Sequence, residues 1–448
     1  MFRKLLSLDE AKQILKQNFS PEPVGAERAS LSEAHDRVLA EDIMAPMDVP
    51  PFDRSTVDGY AVRAVDTFGA DEDRPVALKF CGQITIGESP SIVVKKGMAA
   101  EIATGAPLPK GSDTVVMVEY SNRRDDDVFI HRPVSKGENM MEAGSDIRKG
   151  EKILEKYQRL SSREIGVLAA LGLTEVDVHK RPRVAILSTG AEVVEPGKPL
   201  PSGKIYDINA HTFSAAVLEC SGEPINLGIV PDDRARLKAA VKRALDSADA
   251  VITSGGVSVG PKDLIPQIVD TLGEPGVIIS GIAVKPGKPT TIAIVGGKPV
   301  FSLPGHPTSS LLMFHMVVRP IICKMAGRTK ETPSVLKAVA ATRMFPAKGR
   351  RTFVMVNLNY DKTGQLFVSP VPTGLSGAIT IDTPPPAANC HMPSKSLVIL
   401  TPNSSIVGNS GRNLSFSRPS WNRTITWPAF SSFVAAATPG PAIPSISP

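Results

Sequence analysis

The stretch Thr253-Ser-Gly-Gly-Val-Ser-Val-Gly-Pro-Lys-Asp263 decides the fold of this chain. Before it, Asp249-Ala-Val-Ile-Thr253 is a short apolar run rich in β-branched residues, and after it, Leu264–Leu272 has the apolar spacing of a helix. The pattern predicts a buried strand, a glycine-rich turn and a helix. Its three glycines let the backbone adopt positive φ angles and approach a ligand, and a helix N-terminus presents unpaired N–H groups to an anion. The stretch therefore predicts a cradle for an oxyanion or a phosphate.

Asp263 closes this stretch at the expected start of the helix. A carboxylate there repels a phosphate unless a metal ion lies between the two groups. Aspartate also caps helices by accepting a hydrogen bond from a backbone N–H. The local sequence leaves both interpretations open, a metal ligand and a simple helix cap.

Residues 181–327 continue the alternation of strands and helices. A buried strand at Val184-Ala-Ile-Leu-Ser-Thr-Gly190 precedes helices expected near 209–220 and 234–248, with a strand around 225–230 between them. Such alternation is typical of βαβ units. It predicts a mainly parallel sheet in a three-layer α/β/α domain.

Ligands of such folds bind at the carboxyl ends of the strands. Three loops are expected there: Ser188–Glu192, Ser254–Asp263 and Leu303–His306. Asp207 adds a carboxylate, and Lys285-Pro-Gly-Lys-Pro289 adds two cations held between prolines, although solvated surface charge is the alternative for both lysines. Anion-binding glycines beside carboxylates that suit a divalent metal indicate a phosphorylated, nucleotide-bearing ligand.

The remaining sequence predicts further domains, which a chain of 448 residues has room for. Helical spacing at 8–18, 31–39 and 159–171 and short alternating strands after residue 75 carry this prediction. The predicted domains are a discontinuous helical linker domain at 1–50 and 147–180, a β-rich domain at 51–146 and the α/β domain at 181–327.

The segment 381–448 differs in composition from the rest of the chain. It contains 11 of the 40 prolines and a single acidic residue, Asp382. It resembles an out-of-frame translation more than a divergent domain, and a disordered linker is the alternative.

The bulk composition excludes several classes of protein. The net charge is +6, but the basic residues are dispersed rather than gathered with aromatic residues, so we expect no nucleic-acid partner. No apolar run reaches the ~18 residues of a membrane span, and the N-terminus lacks the features of a signal peptide, so we expect no membrane partner and a cytoplasmic location. Four widely separated cysteines argue against a disulfide framework and a structural zinc site.

Three loops of the first 150 residues are rich in polar, glycine or proline residues. Phe52–Val62 contains Asp58-Gly59, which is ordinary turn chemistry unless a ligand binds there. Glu101–Asp113 and Gly144–Gly150 are similar in character. Such loops form turns or bind ligands, and their sequence does not separate the two roles.

Seven motifs in order resemble the MoeA family of molybdopterin molybdenumtransferases, which is related to the C-terminal domain of gephyrin. The motifs are Phe52-Asp-Arg-Ser-Thr-Val-Asp-Gly-Tyr-Ala61, Ala103-Thr-Gly-Ala-Pro-Leu-Pro109, Ala143-Gly-Ser-Asp-Ile147, Ser188-Thr-Gly-Ala-Glu192, Ser254-Gly-Gly-Val-Ser-Val-Gly260, Lys285-Pro-Gly-Lys-Pro289 and Leu303-Pro-Gly-His-Pro307. The resemblance implies insertion of molybdate into adenylylated molybdopterin, with magnesium-dependent release of AMP. It also implies a homodimer with an active site between two subunits, and a molybdopterin adenylyltransferase as upstream donor. It further implies a C-terminal β-barrel, of which 334–380 is the start. Because the family pattern stops before 381–448, we expect an incomplete barrel, which lacks its last strands and exposes a sheet edge.

The resemblance also implies roles for individual residues. Those expected to be catalytic are Asp58, Thr104, Asp146, Glu192 and Asp263, of which the first three come from the partner subunit. Those expected to bind the pterin, the adenylate or molybdate are Ser188, Thr189, Gly190, Asp207, Ser254, Gly255, Gly256, Ser258, Gly260, Lys285, Lys288, Pro304 and Gly305. Those expected to bind Mg²⁺ are Glu192, Asp207 and Asp263.

Two positions depart from the family pattern. Ala191 stands where many members have Asp, and His306 replaces the more usual Asn. Two other functions remain open: a gephyrin-like scaffold that binds partner peptides, and a CinA-like nucleotide pyrophosphatase. The second shares the α/β block but not the segments around Asp58, Thr104 and Asp146.

Overall fold

Two units make up the chain. Gly25–His179 forms one, and Met1–Val24 together with Lys180–Pro448 forms the other, which begins with helix α1 (Leu8–Asn18). The computed structural model describes residues 5–256, 264–328, 335–336, 338–342, 347, 349–360, 364–371, 396–400 and 423–426. No helix in these ranges is long and apolar enough to cross a membrane.

The unit Gly25–His179 consists mostly of strands. Its elements are β1 (Ala26–Ser30), β2 (Ile43–Met44), β3 (Arg54–Ser55), β4 (Gly59–Val62), β5 (Val76–Ile84), β6 (Met98–Ile102), β7 (Thr114–Met117), β8 (Ser121–Arg124), β9 (Asp127–Ile130), β10 (Met140–Met141), β11 (Lys152–Leu154), α2 (Ser162–Ala170) and β12 (Glu175–His179). Six of the strands form one sheet in the order β7-β4-β6-β5-β9-β8. Because β4 lies inside this sheet, between β6 and β7, the loop that precedes it is held at both ends by paired backbone.

The α/β domain follows. Its elements are β13 (Arg183–Thr189), β14 (Val193–Val194), β15 (Ile205–Tyr206), α3 (Asn209–Glu219), β16 (Glu223–Val230), α4 (Arg234–Ser247), β17 (Ala250–Ser254), α5 (Leu264–Val269), β18 (Pro275–Ser280), β19 (Val284–Lys285), β20 (Thr291–Val295), β21 (Lys298–Leu303), α6 (Pro307–Met313) and α7 (Arg319–Met325). A six-stranded sheet has the order β16-β13-β17-β21-β20-β18, and its first four strands are parallel. The predicted run of strand, glycine turn and helix is thus present at the centre of this sheet, apart from residues 257–263, which lie outside the described residues.

Two hydrophobic cores cover the two faces of this sheet. Val184 and Ile186 of β13 face a core that includes α1, α3, α6 and α7, whereas Ala185 and Leu187 face a core that includes α4 and α5. Alternate residues of a strand point to opposite faces, so a strand with helices on both faces must be apolar throughout. This explains the unbroken apolar run that marked β13 in the sequence.

The predicted helical linker domain is wrong in two respects. Residues 31–39 do not form a helix: they consist of turns, with Asp36 at a φ of 66°, followed by isolated bridges at Val38 and Leu39, and the preceding strand β1 pairs antiparallel with β12. Helix α1 belongs to the unit of the α/β domain, where Leu8 and Leu15 are buried in the core that contains α3. An amphipathic pattern shows that one face of a helix is buried, but it does not identify the element that covers this face.

The C-terminal residues form a separate sheet. Its strands are β22 (Val335–Leu336), β23 (Val339–Ala340), β24 (Arg351–Tyr360), β25 (Leu366–Pro370), β26 (Ser396–Leu400) and β27 (Arg423–Thr426), in the order β22-β27-β26-β24-β25-β23, and β19 also pairs with β24. We predicted that strands would be missing after residue 380; β26 and β27 instead belong to this sheet. The rest of the segment 381–448 lies outside the described residues.

His315, between α6 and α7, makes the stability of the α/β domain dependent on pH. Desolvation, with a smaller effect of the Arg319 charge, lowers the pKa of His315 to about 2. An unfolded histidine binds a proton near pH 6.5, so the stabilisation is complete above that pH and is lost as the pH falls from there toward the folded pKa. Between about pH 7.5 and pH 5.5 we expect the wild type to lose about 1.4 kcal/mol more unfolding free energy than a His315→Phe variant. Urea denaturation at both pH values measures this, and equal losses in the two proteins would contradict it.

Candidate active site

The carboxyl ends of three adjacent parallel strands lie at one edge of the α/β sheet. In the register of the strands, Ser254 of β17 stands opposite Ser188 of β13 on one side and Leu303 of β21 on the other. The N–H of Gly255 donates to the carbonyl oxygen of Leu303 at 3.3 Å. The three predicted ligand loops therefore start side by side, which is the position where ligands bind in folds of this class.

The first turn after β17 has no room for side chains. Gly255 has a φ of 86° and Gly256 a φ of 64°, both in the left-handed region. A Cβ atom at Gly255 would overlap the backbone carbonyl oxygen of Thr189, and one at Gly256 would lie 3.0 Å from Thr189 Cγ2 and from Ile265 Cγ1. The glycines predicted from the sequence are thus required by the close approach of this turn to the end of β13. Ser258, Gly260 and Asp263 of the same prediction lie outside the described residues.

Asn209, the first residue of α3, connects these loops. Its Nδ2 donates to Ser254 Oγ at 2.7 Å and to the carbonyl oxygen of Gly305 at 2.7 Å. Its Oδ1 accepts from Ser310 Oγ at 3.2 Å. The sequence assigned no role to Asn209, because its partners are far away along the chain.

Asp232 is a second residue that the sequence did not assign to the site. The pair Asp232-Asp233 reads as a helix cap, and Asp233 is the cap, since its Oδ1 accepts from Arg236 N–H at 2.9 Å. Asp232 Oδ1 instead accepts from the hydroxyl of Thr189. A second aspartate at the carboxyl end of a parallel strand was the available signal.

Two buried hydroxyls at the strand ends have no hydrogen-bond partner among the residues that the structure describes. These are Ser188 Oγ and Thr253 Oγ1, in residues that are 1% and 0% exposed. A buried polar atom without a partner is costly, and such atoms are uncommon in folded proteins. Ser188 neighbours Ser254, so this unsatisfied atom lies where the sequence predicts a ligand.

The predicted magnesium ligands lie in different environments. Asp207 is buried, and its Oδ1 accepts from the N–H of Ala210 at 3.1 Å. The other oxygen of this carboxylate is then the one that can bind an ion. Glu192 is exposed and folds back over Gly190, where a Cβ atom would lie 2.9 Å from its Oε1. Carboxylate oxygens suit Mg²⁺, yet within the described part of the chain no three His, Cys, Asp or Glu residues are grouped to hold a metal. With Asp263 outside that part, the magnesium site remains a prediction.

The two predicted lysines flank a tight turn. Lys285 is exposed and Lys288 is partly buried. Between them Gly287 has a φ of 111°, and a Cβ atom there would lie 2.5 Å from Met313 Sδ. The turn therefore packs closely on α6. Of the predicted residues after β21, Pro304 is buried and Gly305 is exposed.

In the unit Gly25–His179, the structure brings Asp58 and Thr104 together. Oδ1 of Asp58 accepts from the N–H of Thr104 at 2.7 Å and from its hydroxyl at 3.1 Å. Both residues are exposed. Asp146 is exposed too, and its N–H donates to Val49 O at 3.0 Å; none of the hydrogen bonds of the described residues joins it to the other two.

Comparison with known proteins gives consistent results over most of the chain. Residues 6–172 match the MoeA N-terminal region (domain I and II), and residues 185–324 match a probable molybdopterin binding domain. A molybdopterin molybdenumtransferase of Haemophilus influenzae is 36% identical over 369 residues, which cover 82% of this chain and 89% of that one. The molybdopterin molybdenumtransferase of Bacillus subtilis is 34% identical over 359 residues, covering 79% and 83%.

Solved structures are also similar. Two crystal structures of a molybdopterin biosynthesis MoeA protein from Pyrococcus horikoshii each have a TM-score of 0.72 with this chain. One is 40% identical and the alignment covers 83% of this chain and 90% of that one. The other is 29% identical, with 95% and 100% covered.

Proposed function

Because the chain belongs to the MoeA family of molybdopterin molybdenumtransferases, enzymes of molybdenum cofactor biosynthesis, we propose that it inserts molybdate into adenylylated molybdopterin and releases AMP. The observation that carries this proposal is the edge of the α/β sheet. There, a turn without room for side chains stands beside buried hydroxyls, two of which have no hydrogen-bond partner among the described residues. Backbone N–H groups and hydroxyl donors of this kind suit a phosphate.

In this proposal the loops of the α/β domain hold the nucleotide and the oxyanion. Ser254, Gly255 and Gly256 bind a phosphate, together with the loop that begins at Ser188. Lys285 and Lys288 hold molybdate, because cations held by rigid turns bind an oxyanion with little loss of side-chain entropy. Such a site acts mainly by positioning and by electrostatics.

Mg²⁺ would be held by Glu192 and Asp207 together with Asp263, which closes the glycine-rich stretch. When bound, it supplies positive charge to the phosphoanhydride. Among these residues, Asp207 has one carboxylate oxygen fixed on α3 and a second oxygen that can bind an ion.

We propose that the enzyme is a homodimer in which Asp58, Thr104 and Asp146 of one subunit complete the site of the other. The substrate would come from a molybdopterin adenylyltransferase. A CinA-like pyrophosphatase is disfavoured, because the match to the MoeA N-terminal region covers the segments that such a protein does not share. No feature of the described residues favours a peptide-binding scaffold over the enzyme.

The proposal is tested by AMP release from adenylylated molybdopterin. We expect release to require both molybdate and Mg²⁺ and to stop on addition of EDTA. A Glu192→Gln variant should need about tenfold more Mg²⁺ for half-maximal release, because a charged ligand is lost. Glu195→Gln is the control, since Glu195 lies in the same loop but pairs with Lys198. AMP release that is unaffected by EDTA, or an equal Mg²⁺ requirement in the two variants, would count against the magnesium site.

A further inference from the structure

The direction of the Ser254 hydroxyl is set by Asn209. The carbonyl oxygen of Gly305 can only accept a hydrogen bond, so the atom of Asn209 that faces it at 2.7 Å must be the amide nitrogen. The same nitrogen donates its second hydrogen to Ser254 Oγ, and the amide oxygen is left to accept from Ser310. Asn209 is 6% exposed, so its amide has no alternative orientation that satisfies these three partners.

Because Ser254 Oγ accepts from Asn209, the hydrogen of its own hydroxyl remains to be donated. A hydroxyl has one hydrogen and two lone pairs, and the Asn209 bond uses a lone pair. Ser254 is 4% exposed and ends β17 at the edge where the ligand loops start. A hydroxyl held in this way presents a donor, which suits the oxygen of an anion.

The neighbouring Ser188 points to the same kind of ligand. In parallel strands, directly opposed residues lie on the same face of the sheet, and Ser188 is opposite Ser254. Ser188 Oγ is buried and has no hydrogen-bond partner within the described ranges, so its hydrogen is also available. Two adjacent hydroxyl donors at a strand end, beside a glycine turn that lets a ligand approach, form a set of donors for one phosphate.

We propose that Asn209 is a positioning residue for the phosphate of the substrate. It acts through Ser254, by keeping that hydroxyl a donor, and at the same time it ties the glycine turn after β17 to the loop before α6. This inference rests on the proposed function. Without the amide, the Ser254 hydroxyl can turn to the carbonyl oxygen of Gly305, which has lost its donor, and the phosphate loses a hydrogen bond.

A double-mutant cycle tests this role. AMP, as a probe of the phosphate site, is titrated by calorimetry into the full-length wild type, Asn209→Leu, Ser254→Ala and the double variant. Leucine has the branched shape and the number of side-chain heavy atoms of asparagine, but it cannot donate a hydrogen bond. We expect each single substitution to weaken AMP binding about tenfold or more, because a hydrogen bond to a charged group is lost. The double variant should bind AMP less than about threefold more weakly than Ser254→Ala does, since both substitutions remove the same hydrogen-bond donor.

A purely structural role predicts a different outcome. If Asn209 only holds α3 in place, its substitution acts independently of the substitution at Ser254. The two fold-decreases in AMP affinity then multiply in the double variant, and this result would overturn the inference. Ser214→Ala is the matched control: it lies on the same helix, and its hydroxyl bonds only to the carbonyl oxygen of Ala210 among the described residues. It should bind AMP as the wild type does. If Asn209→Leu does not fold, Asn209→Ala completes the cycle.

The same preparations separate this inference from the proposed function. AMP release from adenylylated molybdopterin by the wild type tests the function, and coupling between Asn209 and Ser254 tests the inference. In one outcome, the double-mutant cycle shows coupling in AMP binding, but the wild type releases no AMP from the substrate. This result would refute the proposed function and support the positioning role of Asn209. In another outcome, the wild type is active, but the decreases in AMP affinity of the two single variants multiply in the double variant. This result would refute only the positioning role of Asn209.

Discussion

Replacing Gly255 with alanine is expected to reduce AMP release about 100-fold. A Cβ atom at this position overlaps the backbone carbonyl oxygen of Thr189, which belongs to β13 and has little freedom to move, because β13 is paired on both sides with β16 and β17. The turn must therefore shift by roughly an ångström, and a displacement of that size in a positioned site costs about 100-fold in rate. The φ of 86° adds about 1–2 kcal/mol of strain for any residue with a side chain.

A second glycine separates the clash from the strain. Gly297, in the hairpin between β20 and β21, has a φ of 77° and no atom within 4 Å of an added Cβ. Gly297→Ala should thus lose about 1–2 kcal/mol of stability and release AMP at the wild-type rate. Urea denaturation and AMP release measured on both variants make the comparison. Similar activity of the two variants would show that the turn after β17 does not position the substrate.

The local sequence pattern was sufficient to predict the strands and the glycine turn of the α/β domain, but it failed for residues 31–39. The unbroken apolar run of β13 and the glycine turn after β17 are features of neighbouring residues, so the sequence alone predicts them. Residues 31–39 show why the same method fails: their spacing fits a helix, but Asp36 adopts a φ of 66° and the segment forms turns instead. Helix α1 was recognised, whereas its packing on the α/β core depends on partners distant in sequence.

The candidate site shows the same division. Gly255 and Gly256 were predicted because glycines between a strand and a helix indicate a turn, and this pattern is visible in neighbouring residues. Asn209 and Asp232 were not, since Asn209 contacts Ser254, which is 45 residues away, and Asp232 contacts Thr189, which is 43 residues away. A short polar residue that joins two loops has no signature in the residues next to it. Such positioning residues become visible only when the strand order is known.

Asp58 is expected to be needed for activity through its charge, beyond its contact with Thr104. Asp58→Ala removes both hydrogen bonds to Thr104 and the carboxylate, and we expect AMP release to fall by about 100-fold or more. Asp58→Asn keeps an oxygen that accepts from the N–H of Thr104 but has no charge. If Asp58 only shapes a turn, the asparagine variant should remain active, because asparagine and aspartate form the same turns. We expect it instead to be nearly as inactive as Asp58→Ala.

Asp53 provides the matched control for this comparison. It is an exposed aspartate of the same loop, and its Oδ1 accepts from the N–H of Ala143 at 2.8 Å. Its role in the described structure is thus to hold backbone. Asp53→Asn should release AMP at close to the wild-type rate and unfold at nearly the same urea concentration. If Asp53→Asn loses as much activity as Asp58→Asn, any change of charge in this segment impairs the enzyme. That result would contradict a specific requirement for the charge of Asp58.

Mixing two inactive variants then tests whether Asp58 serves the site of the partner subunit. Asp58→Ala and Gly255→Ala change different units of the chain, so a mixed dimer has one site that carries both changes and one that carries neither, if each site is shared between subunits. Random exchange of equal amounts makes half of the dimers mixed, and each contributes one intact site, so about a quarter of the wild-type AMP release should return. If each subunit instead forms its site alone, every site in the mixed dimer carries one of the two changes. No activity then returns, and Asp58 acts within its own subunit or not at all.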